Sequence, residues 1–253
     1  MNAVKQVSSE RSPIILSPSL WGENELESQK SNVLVSTANL EGLKGLKKKK
    51  RKYLNKHYLP KEWKFEGIEE FPINLPYDGP IPDILVGTGA KHSGYNPKAG
   101  LHNFTFDYIN ERWWNDIEGF CQIAEHYVCV LGLDFSPLVN GLRCDVVEAI
   151  RRNRIFTASL QASGLKVIQS ASFGHPRHNK FVFDGLAPNA PVAIEHIRAS
   201  RDHKQRKFFR KGVEALVEQK KPSIILVYGF PLDFDPGVPV KYYPCHIQKL
   251  RNL

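Results

Sequence analysis

The chain has 253 residues, 42% of them hydrophobic, so a sizeable core is available and a globally disordered chain is excluded. Its apolar runs fall short of the 18 residues that a membrane helix needs, and no basic start precedes an apolar stretch, so we expect a cytoplasmic protein without a membrane segment or signal peptide. The net charge of +9 is concentrated in two short segments on an otherwise acidic chain, which favours an anionic partner.

Residues 1–58 differ in composition from the rest of the chain. They are rich in Ser, Asn, Glu and Lys and keep no helical or strand period, which predicts a basic, flexible arm. Its densest cationic run consists of Lys47, Lys48, Lys49, Lys50, Arg51 and Lys52. Because Tyr53, Tyr58 and Trp63 follow, one interpretation is phosphate contact with base stacking on nucleic acid, and the other is a solvated run or a localisation signal.

Residues 59–253 are predicted to form one α/β domain with a proline-rich lead-in and a C-terminal tail. From residue 83 onward, short continuous apolar runs alternate with amphipathic helices, which is typical of βα units around a mostly parallel sheet buried on both faces. The predicted strands cover residues 84–86, 101–106, 127–133, 165–168, 192–197 and 223–228. The sheet is therefore either open or a partial barrel resembling a TIM barrel, since a complete barrel needs eight strands. After Gly229, the prolines predict a tail folded over one end.

Polar side chains follow the predicted strands, and the carboxyl ends of parallel strands meet at one edge of a sheet. The candidate catalytic residues at this edge are Asp107, Asp134, Ser136, Glu195 and Tyr228. Asp107 and Asp134 are candidates for an acid–base pair or for a Mg²⁺ site. The alternative is that each aspartate only caps a turn.

A second basic segment, residues 198–211, follows the strand predicted at 192–197. Its candidate nucleic-acid contacts are Arg201, Lys204, Arg206 and Lys207. These cations either rim the strand-end cleft or point to solvent from the outer helical layer. Asn153 lies on the apolar face of a predicted helix, so it either anchors a neighbouring loop or touches a ligand. The four cysteines form no CxxC pair and are expected to be buried, reduced thiols.

Several motifs occur in a recognisable order: Leu133-Asp134-Phe135-Ser136, Gly164-Leu165-Lys166-Val167-Ile168, Phe183-Asp184-Gly185 and Ile225-Leu226-Val227-Tyr228-Gly229. This pattern resembles an uncharacterised domain-of-unknown-function family of bacteria, phages and mobile elements, over about residues 100–230. The chain departs from the family pattern at Phe173, where tryptophan is usual. The resemblance implies a phage or mobile-element context and an α/β fold, and it implies no reaction.

Three functions fit these observations. The leading interpretation is a nucleic-acid-binding protein of phage or mobile-element type, acting in replication or DNA processing. The second is an enzyme acting on a phosphorylated or glycosidic substrate at the strand-end cleft. The third is a phage structural or assembly protein whose basic arm contacts the genome, a second copy of the chain or another phage protein.

Overall fold

The computed structural model describes residues 59–60, 62–90, 94–197 and 202–245, so the predicted arm 1–58 lies outside the described residues. In chain order the strands are β1 (Phe65–Glu66), β2 (Phe71–Pro72), β3 (Ile84–Gly87), β4 (Asn96–Asn103), β5 (Tyr127–Leu133), β6 (Val167–Ser170), β7 (Val192–His196), β8 (Ile225–Gly229) and β9 (Val240–Tyr243). The α-helices are α1 (Asp107–Asn115), α2 (Ile117–Ala124), α3 (Arg143–Ala162) and α4 (His203–Lys220). A 3₁₀ turn, Pro176–His178, lies between β6 and β7.

Strands β3 to β9 form one seven-stranded sheet in which every strand pairs in parallel with its neighbour in the sequence. The strands β1 and β2 of the lead-in form a separate antiparallel pair. Helices α1 and α2 connect β4 to β5, α3 connects β5 to β6, and α4 connects β7 to β8. This arrangement confirms the predicted α/β class with a parallel sheet built from βα units.

The sheet curls until its distant strands meet. The ring centroids of His102 on β4 and Tyr228 on β8 are 4.3 Å apart, whereas these strands would be about 19 Å apart in a flat sheet with a spacing of about 4.8 Å. Across the remaining gap, the Tyr243 hydroxyl donates a hydrogen bond of 2.6 Å to the Pro82 carbonyl, just before β3. The partial-barrel alternative is therefore the correct one, with seven strands and a seam between β9 and β3.

The sheet is buried on both faces, which explains the continuous apolar runs of its strands. One cluster fills the barrel interior and includes Leu85, Leu131, Ile168 and Leu226. Two further clusters pack the outer face against the helices, with Phe120, Phe156, Val130 and Val167 in one and Val192, Ile194, Val213 and Leu216 in the other. At about 25 cal/mol per Å² of apolar surface, this burial is the main favourable contribution to folding.

In the seven-stranded sheet, two strand predictions differ from the structure by more than two residues. Strand β4 ends at Asn103 instead of continuing to residue 106, because Phe106 is the N-cap residue of α1. Residues 240–243, predicted as part of a tail, form β9 at the edge of the sheet. The flanking Pro239 and Pro244 lie just outside that strand, where a missing N–H costs no ladder hydrogen bond.

The cysteines differ from expectation at one position. Cys129 and Cys245 are buried and Cys121 is partly buried, but Cys144 in the first turn of α3 is exposed, so the prediction of four buried thiols is wrong there. None of the four forms a disulfide. None of the helices in the described ranges has an apolar stretch that would cross a lipid bilayer.

Candidate functional site

A cavity of about 490 Å³ opens at the carboxyl edge of the sheet. The loop after β5, the residues after β6, the end of β7 and the first half of α4 form its walls. Its polar lining residues include Asp134, Ser136, Asn140, Ser172, Glu195 and Gln205. Three predicted site residues, Asp134, Ser136 and Glu195, therefore share this cavity although they are far apart in the sequence.

Asp134 is held in the cavity wall by a chain of hydrogen bonds that leads to the buried Asn153. The Ser172 hydroxyl donates to Asp134 Oδ1, and Asn153 Nδ2 donates to the Ser172 hydroxyl at 3.2 Å. The same Asn153 amide donates to the Phe135 carbonyl at 3.0 Å and accepts from the Phe135 N–H at 2.8 Å. Of the two interpretations of Asn153, the structure supports the loop anchor, since its side-chain amide bonds both the N–H and the carbonyl of Phe135, the residue after Asp134.

Asp107 is not among the residues that line the cavity, but it is connected to the cavity wall through Ser136. Its carboxylate accepts hydrogen bonds of 3.3 Å from both the backbone N–H and the hydroxyl of Ser136. Asp107 is also the first residue of α1, where a negative charge is favourable at the helix N-terminus. Asp107 and Asp134 are thus bonded to different serines, and only Asp134 is among the residues that line the cavity. Their predicted pairing stays a prediction.

Glu195 and Tyr228 lie opposite each other in the β7–β8 register, and both face the barrel interior. Glu195 Oε1 accepts a hydrogen bond of 2.7 Å from the Ile197 N–H, which fixes the turn after β7. The Tyr228 ring packs against His102 and against Phe104, with 5.5 Å between the centroids of Tyr228 and Phe104. A strip of polar and aromatic side chains therefore crosses the barrel mouth beside the cavity.

His102 is the member of this strip that sequence reasoning missed. Its ring is buried at 6% exposure, and Nδ1 accepts a hydrogen bond of 3.2 Å from the Phe104 N–H. Its position in the strand is the sequence feature that indicates it. His102 follows Leu101 in a strand whose side chains alternate between the helical layer and the barrel interior. The alternation alone does not identify His102 as a site residue. The curl of the sheet must also be known, because only in a curled sheet does an interior histidine contact the opposite strand.

The first half of helix α4 lines the cavity and carries residues 203–211 of the second basic segment. Its N-cap Asp202 accepts a hydrogen bond of 3.2 Å from the Lys204 N–H. Gln205 and Phe208 line the cavity, whereas Lys204, Arg206 and Lys207 are exposed. Three of the four predicted cations of this segment are therefore exposed on α4, and Arg201 lies outside the described residues. The run Lys47–Lys52 also lies outside them.

Within the described ranges, no group of three or more His, Cys, Asp or Glu residues is placed to hold a metal ion. Mg²⁺ needs fewer protein ligands when a substrate phosphate completes its coordination. Asp134 and Glu195 are the carboxylates that line the cavity and could serve that purpose. The Mg²⁺ prediction for Asp107 and Asp134 stays a prediction.

Fold and cavity together define an α/β protein with a nearly closed parallel barrel and a polar cavity at the carboxyl edge. The chain belongs to the family described as Domain of unknown function (DUF4417), whose model matches residues 87–239. That range contains every cavity residue named above, and the match confirms the resemblance to an uncharacterised family.

Two similar proteins come from phages. The chain is 30% identical over 196 residues to the Gene 1 protein of Mycobacterium phage D29, a match that covers 72% of each chain. It is 29% identical over 162 residues to the Gene 1 protein of Mycobacterium phage L5, covering 63% of this chain and 71% of the relative. No solved structure matches the chain. The phage context implied by the sequence is thereby supported.

Proposed function

We propose that the protein binds nucleic acid across the carboxyl edge of its barrel, with α4 contacting phosphates and the cavity receiving a nucleotide unit. One observation carries this proposal: within a single stretch of α4, Gln205 and Phe208 line the cavity while Arg206 and Lys207 are exposed to solvent. A phosphate held by these cations would place the attached sugar or base at the cavity mouth.

The charge pattern of α4 supports this assignment. Asp202 is the acidic residue at its start, and the next acidic residue, Glu214, is bonded to Arg210 at 2.9 Å. Between them, Lys204, Arg206 and Lys207 form an exposed cationic face. Such a face contributes sequence-independent affinity for the phosphate backbone through release of counterions. A role in replication or DNA processing belongs to this proposal.

The test is a double charge reversal, Arg206→Glu with Lys207→Glu, measured by fluorescence anisotropy with labelled DNA over a series of salt concentrations. Loss of two phosphate contacts lowers the slope of log affinity against log salt by about 1.8 for duplex DNA and about 1.4 for single strands. Lys98→Glu with Lys221→Glu is the matched control, because it changes the net charge equally at exposed positions near the amino edge of the sheet. Equal slopes for the two variants would refute the role of α4.

The arm provides an independent contact in this proposal. Replacing Lys47–Lys52 by glutamine removes six cations and is expected to weaken binding and flatten its salt dependence further. Because the arm precedes the described barrel, the variant is expected to unfold at the wild-type temperature. Wild-type affinity and salt slope in this variant would leave α4 as the sole contact.

A second candidate function is hydrolysis or transfer at a phosphate or glycosidic bond. It is favoured by the presence of Asp134 and Glu195 in one cavity, since two carboxylates are the usual groups for acid–base catalysis or for metal-assisted attack. Asp134→Asn and Glu195→Gln are expected to abolish cleavage of labelled oligonucleotides, nucleotides or glycosides in the presence of Mg²⁺ while leaving DNA affinity intact. Wild-type turnover in both variants would exclude these carboxylates from catalysis.

A further inference from the structure

Two aromatic side chains are exposed at the carboxyl edge, at the start of α1. Phe106 is 59% exposed and Tyr108 is 75% exposed. Leaving large apolar groups in water forfeits the stabilisation that burial would provide, so a pair of neighbouring exposed aromatic residues is typical of a binding surface. The rings lie 5.7 Å apart between centroids and are inclined by only 14°, which makes them a stacked pair.

Asp107 lies between these two residues and ties them to the cavity. Its carboxylate accepts the hydrogen bonds from Ser136, which lines the cavity wall. The backbone at this point is fixed as well, because the Phe106 carbonyl accepts a hydrogen bond of 2.9 Å from the Ile109 N–H. The aromatic pair is therefore held in a defined position beside the loop that carries Ser136 and the exposed Leu138.

We infer that Phe106 and Tyr108 form a stacking platform for the bases of single-stranded nucleic acid. This inference rests on the proposed function and specifies its substrate class. Exposed aromatic rings together with a cationic face at one edge of the fold combine base stacking with phosphate attraction, which is how proteins hold single strands. In a duplex the base faces are covered by neighbouring base pairs, so such a platform selects unpaired bases.

Charge complementarity identifies the occupant as nucleic acid. The platform and the cavity lie at the carboxyl edge of the sheet. The exposed cations Lys204, Arg206 and Lys207 lie on α4, the helix that lines that cavity. An apolar protein partner would need no such cations. A strand whose phosphates follow α4 could place successive bases on the platform and in the cavity.

The experiment compares two labelled strands of equal length, one of thymidine and one with abasic sites throughout, so that the phosphates are kept while the bases are removed. The wild-type chain is expected to bind the thymidine strand more tightly. The double variant Phe106→Ala with Tyr108→Ala is expected to weaken that binding about tenfold and to leave the abasic strand unaffected. Phe106→Tyr with Tyr108→Phe, which keeps both rings, is expected to bind like the wild type.

Tyr95→Ala is the matched control, because Tyr95 is also exposed, at 63%, but precedes β4 at the opposite edge of the sheet. Unfolding curves of all variants show whether the fold is retained. Equal affinity of the wild type for both strands, or unchanged thymidine binding by the alanine variant, would overturn the platform while leaving the α4 contact standing. Wild-type binding to neither strand would overturn both proposals together.

Discussion

Replacing Asn153 by alanine should loosen the cavity wall from within α3. Asn153 is 1% exposed, and its amide makes three hydrogen bonds, two with the backbone of Phe135 and one with Ser172. Alanine leaves the buried N–H and C=O of Phe135 without these partners. The residue that precedes Phe135 is Asp134, so the loss falls directly on the cavity.

The magnitude follows from these bonds. A hydrogen bond contributes about 1 kcal/mol net, and three give about 3 kcal/mol. Alanine favours a helix over asparagine by about 0.5 kcal/mol, which leaves a loss of about 2.5 kcal/mol in the free energy of unfolding. For a protein of this size, that corresponds to a fall in Tm of about 5–10 °C.

The same helix supplies a matched control. Gln161 brackets the backbone of Leu75 with two hydrogen bonds of 2.8 Å, which is the same chemistry at an exposed position. Because water replaces the lost partner there, Gln161→Ala is expected to cost less than about 1 kcal/mol. Urea unfolding of both variants gives the comparison from the midpoints at constant m-value. An Asn153→Ala cost no larger than that of Gln161→Ala would refute the argument from burial.

Three further predictions concern other parts of the chain. Burial alone would raise the pKa of Glu148, but hydrogen bonds from Arg151 and Arg152 outweigh this effect and lower the pKa. The contribution of Glu148 to stability is therefore present above the ordinary carboxyl pKa and is lost as the pH falls through the folded-state pKa. Glu148→Gln should accordingly flatten the acid side of a stability–pH curve, and an unchanged curve would contradict this. A Cβ at Gly212 would lie 2.1 Å from the Phe173 ring, so Gly212→Ala should lower the free energy of unfolding by about 1–3 kcal/mol. Adding Phe173→Leu should restore part of this loss. Undiminished stability of Gly212→Ala alone would show that the Phe173 ring moves without cost. Cys144 is exposed, whereas burial raises the pKa of Cys121 to about 11 and that of Cys129 to about 12. Cys144→Ser should therefore remove the fast phase of reaction with a thiol reagent. A fast phase that persists in this variant would contradict the assignment of that phase to Cys144.

The sequence predicted best those elements whose signals are local. The run at 127–133 is apolar throughout and coincides with β5. The predicted helix that carries Asn153 matches α3, which ends just before Gly164 at a φ of +85°. The polar first half of β4 was missed, because its strand conformation comes from pairing Asn96 with Tyr127. That contact is tertiary and has no local counterpart.

The same distinction applies to the site. The rule that polar residues gather past parallel strands predicts that Asp134, Ser136 and Glu195 lie at one edge of the sheet, and all three line the cavity. It could not tell which carboxylate would line the cavity and which would instead bond to a lining residue, as Asp107 does with Ser136. His102 was hidden for a related reason, since its significance depends on the curl that brings β4 to β8.

The seam between β9 and β3 has a consequence for synthesis on the ribosome. Each ladder of the sheet joins strands that are neighbours in the sequence, so each can form soon after its second strand emerges. The contact from Tyr243 to Pro82 spans 161 residues and must wait for the last strand. A nascent chain that ends before β9 therefore keeps β8 as an exposed edge strand, and the synthesis of β9 covers that edge and brings the two sides of the seam into contact.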